Sequence, residues 1–176
     1  MAKAWEVLTS EAILEHPLLT VSLEQIRLPN GEIIPDWPKV QGRDWVNAAI
    51  FNAEGKVLVW EAYQHGTGWV VWQIVNGYVN AGEDPITAVK RELEKTGYTC
   101  EDWIYMGSYV ADAHQHVGVG HFFSTRRAIP IPNFVPDYKD RMPKWVSLQE
   151  LRHALVDGRL ATLNSAMCVA LTLLTL

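Results

Sequence analysis

The sequence predicts an α/β sandwich built on a mixed β-sheet and preceded by an N-terminal segment of β-strands. Three observations predict it. Short apolar runs bounded by turn residues recur before residue 78 and again after residue 102. One stretch with helical spacing separates the two groups, and two more helical stretches close the chain. Strands on either side of a central helix, with helices at the end, argue for helices layered over a sheet.

Residues 5–34 read as the N-terminal strands. Thr20–Leu28 alternates apolar and polar residues, and Pro29-Asn30-Gly31 marks a turn. Val46–Phe51 and Val57–Ala62 read as a hairpin joined by Asn52-Ala53-Glu54-Gly55. Val70–Val75 is a further strand, ending at an Asn76-Gly77 turn. A helix then starts, with Asp84 as its N-cap and Pro85 in its first position. Ala88, Val89 and Leu93 form its apolar face, and Gly97 stops it. Trp103–Val110 and Gly120–Thr125 read as strands around a histidine-containing loop. The stretch 128–143 holds four of the nine prolines and reads as an irregular excursion. Lys144–Val146 is a short strand, Ser147 caps a helix over Leu148–Val156 that Gly158 ends, and a last helix begins near Thr162. The expected division is a strand segment over residues 1–42 and a main domain over 43–176.

Composition narrows the function classes. Hydrophobic residues are 48% of the chain and charged residues 20%, which suits a packed core rather than disorder. A net charge of −5 argues against a general nucleic-acid binder, which needs a basic face. The eight tryptophans suit a core or an interface. Cys100 and Cys168 have no metal-ligand spacing and are expected as free thiols in a reducing compartment. The first residues lack an apolar signal core, and the apolar tail from Leu160 is shorter than the ~20 residues of a membrane span. The expected address is the cytoplasm, away from membranes.

The stretch that carries chemistry begins at Gly77. After five intervening residues comes Glu83, and after seven more come Arg91-Glu92-Leu93. A glycine turn with acids on a following helix suits a phosphate and a metal ion, because hard cations held by carboxylate oxygens can neutralise phosphate charge. Carboxylates at i and i+4 on a helix lie about 40° apart on one face. After Leu93, however, the chain continues Glu94-Lys95-Thr96-Gly97. Four residues on from Glu92 is Thr96, and three on is the cation Lys95. Glu94 lies about 200° around an ideal helix from Glu92.

This pattern resembles that of the Nudix hydrolase superfamily: Gly, five residues, Glu, seven residues, Arg-Glu-apolar-x-Glu-Glu-x-Gly-apolar. Gly77, Glu83, Arg91, Glu92, Leu93, Gly97 and Tyr98 match it, with one residue and the Glu-Glu pair missing. Gly82–Pro85, Thr96–Tyr98, Trp103–Gly107, Trp5–Leu8, Leu28–Gly31 and Asp44–Asn47 are similar to the ADP-sugar pyrophosphatase branch, so the likeness runs through nearly the whole chain. The resemblance implies a Nudix-like α/β/α sandwich that hydrolyses a nucleoside diphosphate linked to another small group, with Mg²⁺ or Mn²⁺. It implies a homodimer, whose N-terminal strands cross to the second subunit.

On this resemblance Glu92, Glu83, Glu94 and a carbonyl near Asn76 are the candidate metal ligands. Glu92, Arg91, Asp137 and Asp140 are the candidate catalytic residues, and Gly77, Gln64, His114 and His116 the candidate substrate contacts. Gln64 stands where the branch has an arginine, and Gln73–Gly77 replaces its Glu-apolar-Pro-Ala-Gly run. Glu83 has a second reading, as a partner of Arg91 that holds the glycine loop. His114, His116 and His121 have the spacing of a transition-metal set, but the reading without a metal is favoured: the resemblance implies that His121 begins a strand and that His114 and His116 lie in a loop lining the substrate cleft. The altered box leaves two functions open: a hydrolase with weakened activity, or a module of the same fold that binds a nucleotide or protein without cleaving it.

Overall fold

The computed structural model describes residues 3–135 and 143–176. Its elements in chain order are β1 (Glu6–His16), β2 (Leu19–Arg27), β3 (Ile33–Gly42), β4 (Trp45–Ile50), β5 (Val57–Gln64), β6 (Trp69–Gln73), β7 (Val75–Tyr78), α1 (Pro85–Glu94), β8 (Tyr98–Thr99), β9 (Trp103–Asp112), β10 (His116–Thr125), β11 (Ile129–Pro130), β12 (Lys144–Val146), α2 (Leu148–Val156) and α3 (Leu163–Thr175). The chain forms two compact units, residues 1–44 with 109–119 and residues 45–108 with 120–176.

In the first unit β1, β2 and β3 form an antiparallel meander. The expected turn at Pro29–Gly31 forms, with the amide of Gly31 donating to the Leu28 carbonyl at 2.9 Å and Gly31 at a φ of +90°. The third strand was not foreseen, because Pro35 and Pro38 interrupt its run. It tolerates them because the first half of β10 pairs with it only at Val40 and Gln41. Over 33–39 the strand is therefore paired with β2 on one side, an edge-strand setting in which a missing N–H costs little.

In the second unit β4 is the central strand. It pairs parallel with β10 and antiparallel with β7. Its alternate side chains enter two separate cores. Val46, Ala48 and Ile50 pack with Ala88, Val89 and Leu93 of α1. Ala49 packs with Leu151 and Ala154 of α2 and Cys168 and Val169 of α3. Burial of Val46, Ala48, Ala49 and Ile50 is complete. A sheet with α1 on one face and α2 and α3 on the other is the expected α/β/α sandwich. No helix among the described residues is long and apolar enough to cross a membrane.

Two local expectations are corrected. The loop at 52–55 closes tightly, with the Asn52 side chain accepting from the amides of Glu54 and Lys56 at 3.1 and 2.8 Å. Yet the strands it joins part after a single bridge between Phe51 and Val57. β5 instead pairs with β6 and β12 in a second sheet. Both faces of β4 and the start of β5 are apolar, so neither strand is confined to one sheet by its pattern. The other correction concerns Asn76-Gly77. The chain changes sheets at Ile74, and Asn76 and Gly77 lie within β7, opposite Asn47 and Val46, instead of forming a turn.

Candidate active site

The site is built from the end of β7, the loop 79–84 and α1. The loop is closed by one acid: the amide of Asn80 donates to Glu83 Oε2 at 2.9 Å, and the amide of Glu83 returns a bond to the Asn80 carbonyl at 3.0 Å. Pro85 follows in the first helical turn, where its missing N–H would have had no partner. The Asp84 carbonyl accepts from Thr87 and Ala88 and starts the helical ladder, while its side chain makes no cap bond.

Arg91 ties these pieces together. Its Nε and Nη2 donate to the two Glu83 oxygens at 3.0 and 2.9 Å, and Nη2 also reaches the Tyr78 carbonyl at 2.9 Å. Its Nη1 donates to Glu92 Oε1. The guanidinium and the Asn80 amide hold the Glu83 carboxyl down at about 2, from an ordinary 4.5. Both Glu83 oxygens are thus committed to the loop and to Arg91.

Glu92 sits against the strand. A Cβ on Gly77 would lie 2.6 Å from Glu92 Oε1, so only glycine leaves room for this carboxylate on the β7 backbone. The same Oε1 accepts from Lys95 Nζ at 2.7 Å. The carboxylate side chain is 12% exposed and the lysine 57%. The missing residue of the box is absorbed where the helix ends. Helical structure stops at Glu94, Lys95 is the C-cap, Thr96 Oγ1 donates to the Leu93 carbonyl at 2.6 Å, and Gly97 takes a φ of +86°. Glu94 is exposed.

The structure brings together Gly77, Glu83, Arg91 and Glu92, with Lys95 as an added member. Asn76 adjoins Gly77, but its amide is turned to Gln73 Oε1 and the Ile74 carbonyl, at 3.1 and 2.7 Å. Gln64 lies at the far end of β5, where its carbonyl accepts from the amides of Thr67 and Gly68. His114 and His116 belong to the first unit and line a concavity of about 670 Å³ with Trp5 and Trp37. Asp137 and Asp140 lie outside the described residues. The i, i+3 ion pair of Lys95 with Glu92 was legible from spacing as a possibility. The part played by the Tyr78 carbonyl and the Asn80 amide was not, because main-chain groups carry no sequence signal.

These residues do not fit a multi-ion metal centre. No group of three His, Cys, Asp or Glu side chains that could hold a metal ion occurs among the described residues. His114 and His116 belong to the first unit and His121 to the second. Glu83 is saturated by Arg91, and Glu92 already faces a guanidinium and an ammonium.

Comparison with known proteins bears on the fold and the family. The chain is similar to the RNA pyrophosphohydrolases of Bartonella bacilliformis (26% identity over 127 residues, 65% of each chain) and Bartonella clarridgeiae (28% over 131, 67% of this chain and 66% of that one). It is also similar to a methanol dehydrogenase activator of Bacillus methanolicus (29% over 112 residues, 62% and 60%). The alignments thus span only 60–66% of the length of these relatives. Its fold matches the crystal structure of an ADP compounds hydrolase with a TM-score of 0.82 at 14% identity, covering 99% of this chain and 95% of that one. Residues 5–39 match the nucleoside diphosphate sugar hydrolase N-terminal domain. Residues 41–164, well over half of the chain and including every described member of the Gly77–Lys95 site, match the NUDIX domain, and the chain belongs to that family.

Proposed function

We propose that this protein binds a nucleoside diphosphate linked to a second small group at the Gly77–Lys95 site and hydrolyses its diphosphate bond slowly. The observation that carries the reading is the Glu83–Arg91–Glu92 network, seated on β7 by Gly77. The names of the similar RNA pyrophosphohydrolases and of the ADP compounds hydrolase support diphosphate chemistry. In the reaction the oxygen of water bonds to one phosphorus and the P–O–P bridge breaks. The bridging oxygen leaves with the other phosphate, and the protons of water pass to a base and to solvent. Glu92 is the candidate base, with Asp137 and Asp140 as further candidates. No step is assigned to Mg²⁺ or Mn²⁺, because the described carboxylates do not fit the family's usual centre.

A second reading is favoured by one observation. Glu92 Oε1 already accepts from the Lys95 ammonium and the Arg91 guanidinium, so that oxygen is engaged and not free to take a proton from water. The protein would then bind the nucleotide without cleaving it. Product release from ADP-ribose, dinucleotides and nucleoside triphosphates separates the two readings. Slow release that disappears in Glu92→Gln supports hydrolysis. Absence of release across the panel, with binding retained in calorimetry, supports the second reading.

We further propose a cytoplasmic homodimer formed through the N-terminal strands. Trp5, just before β1, and Val7, Ile13 and Leu14 on β1 are each about half accessible. Light scattering on the wild type and on Ile13→Glu/Leu14→Glu tests it.

A further inference from the structure

We infer that Lys95 stands in for the divalent cation of this site, so that a diphosphate is bound by the protein's own ammonium with no metal ion. The inference rests on the nucleotide-binding reading above.

Charge is the first argument. A Mg²⁺ ion is held by sites of excess negative charge, through carboxylates and substrate phosphates. Here the carboxylates of Glu83 and Glu92 are matched by the guanidinium of Arg91 and the ammonium of Lys95. The four cancel, and a dication approaching Glu92 would meet two cations already in place. A diphosphate approaching the same point meets an ammonium.

The disposition of the two cations is the second argument. Arg91 donates to both Glu83 oxygens, to the Tyr78 carbonyl and to Glu92, so four of its five N–H donors are used in holding the loop and Glu92. Lys95 is different. An ammonium carries three N–H donors, and Glu92 takes one of them. The side chain is more than half exposed, whereas its carboxylate partner is nearly covered. Glu92 therefore fixes the ammonium from below and leaves its outer side to solvent or to phosphate oxygens.

The helix end is the third. Because α1 stops at Glu94, Lys95 lies at the C-cap, one turn beyond Glu92, and not on a continuing helical face. A cation at this end is also favoured by the helix dipole. A role confined to the dipole would not need the link to Glu92, the one acid of the box that lies against Gly77.

The test is calorimetric titration of ADP-ribose into the full chain, in excess EDTA and in Mg²⁺. The expected result is binding of the same strength, within about twofold, in both buffers, since the charge is supplied by the protein. Lys95→Gln should weaken binding by about tenfold or more in both, the loss of one charge-assisted contact. Lys95→Glu should bind ADP-ribose only when Mg²⁺ or Mn²⁺ is present, and should bind Mn²⁺ alone, read by the loss of free-ion paramagnetic signal. Circular dichroism of each variant confirms that it is folded, as expected for an exposed side chain. Wild-type binding that EDTA abolishes overturns the inference while leaving the nucleotide site intact, as does wild-type affinity in Lys95→Gln. Absence of binding in both buffers overturns the nucleotide-site reading itself.

Discussion

The Glu92 carboxylate occupies the space that a side chain on Gly77 would need. A Cβ there would meet Oε1 at 2.6 Å. Gly77 lies in a strand and does not have a positive φ, so its role is to permit close approach and not to relax the backbone. Gly77→Ala should therefore displace Glu92 and its links to Arg91 and Lys95, at a cost of about 1–3 kcal/mol. In Gly77→Ala/Glu92→Ala the overlap is gone, and the double variant should be less destabilised than the two single changes combined. Urea unfolding of the four proteins measures this. Simple additivity would show that the two residues do not meet.

The Glu83–Arg91 pair sets an acid limit on the loop. The Glu83 carboxyl is held at about 2 in the folded chain against an ordinary 4.5. A depressed folded value means that stabilisation is present above the unfolded value and is lost as pH falls from about 4.5 toward 2. Denaturation midpoints measured between pH 6 and 2.5 should fall for the wild type. Glu83→Gln should be less stable near pH 6 and should fall less steeply below 4.5. Parallel curves would mean that the pair contributes nothing to the acid transition.

Much of this site was legible because helices announce their ends. Asp84-Pro85 and Gly97 mark the termini of α1, and Ala88, Val89 and Leu93 mark its buried face, all within one local stretch. The strands were harder, because periodicity reports burial and not partnership. β4 and β5 read as a hairpin, yet their all-apolar starts let each join a different sheet. β3 was hidden by two prolines that its edge-like setting accommodates. The Lys95 substitution was visible as the loss of an acid. What it does instead depends on where the shortened helix ends, and that is set by the Thr96 and Gly97 bonds rather than by the box pattern.

Ser147 offers a test of local encoding that leaves the site alone. Its hydroxyl accepts from the Glu150 amide at 3.1 Å, and Leu151 of the same helix is fully buried in the core shared with β4. Ser147→Ala should cost about 1 kcal/mol and leave ADP-ribose binding unchanged. A larger loss, or a change in binding, would show that α2 is coupled to the site by more than its cap.

The two cysteines are free and buried, and the reactivity of Cys168 tests the layer between α3 and the sheet. Burial pushes the Cys168 thiol up to about 12, and its Sγ contacts the Phe123 carbonyl of β10 at 3.6 Å. Only the thiolate reacts with disulfide reagents, so at pH 8 the reactive fraction is on the order of 10⁻⁴ even before access is considered. The native protein should therefore show no labelling of Cys168 by a chromogenic disulfide over hours, and prompt labelling in urea. Cys100→Ser isolates the Cys168 signal. Native labelling that follows the rate expected from global unfolding would agree with the packed layer. Labelling many times faster would mean that α3 opens on its own, and that the core of Ala49, Val169 and Leu151 does not hold it as a unit with β4.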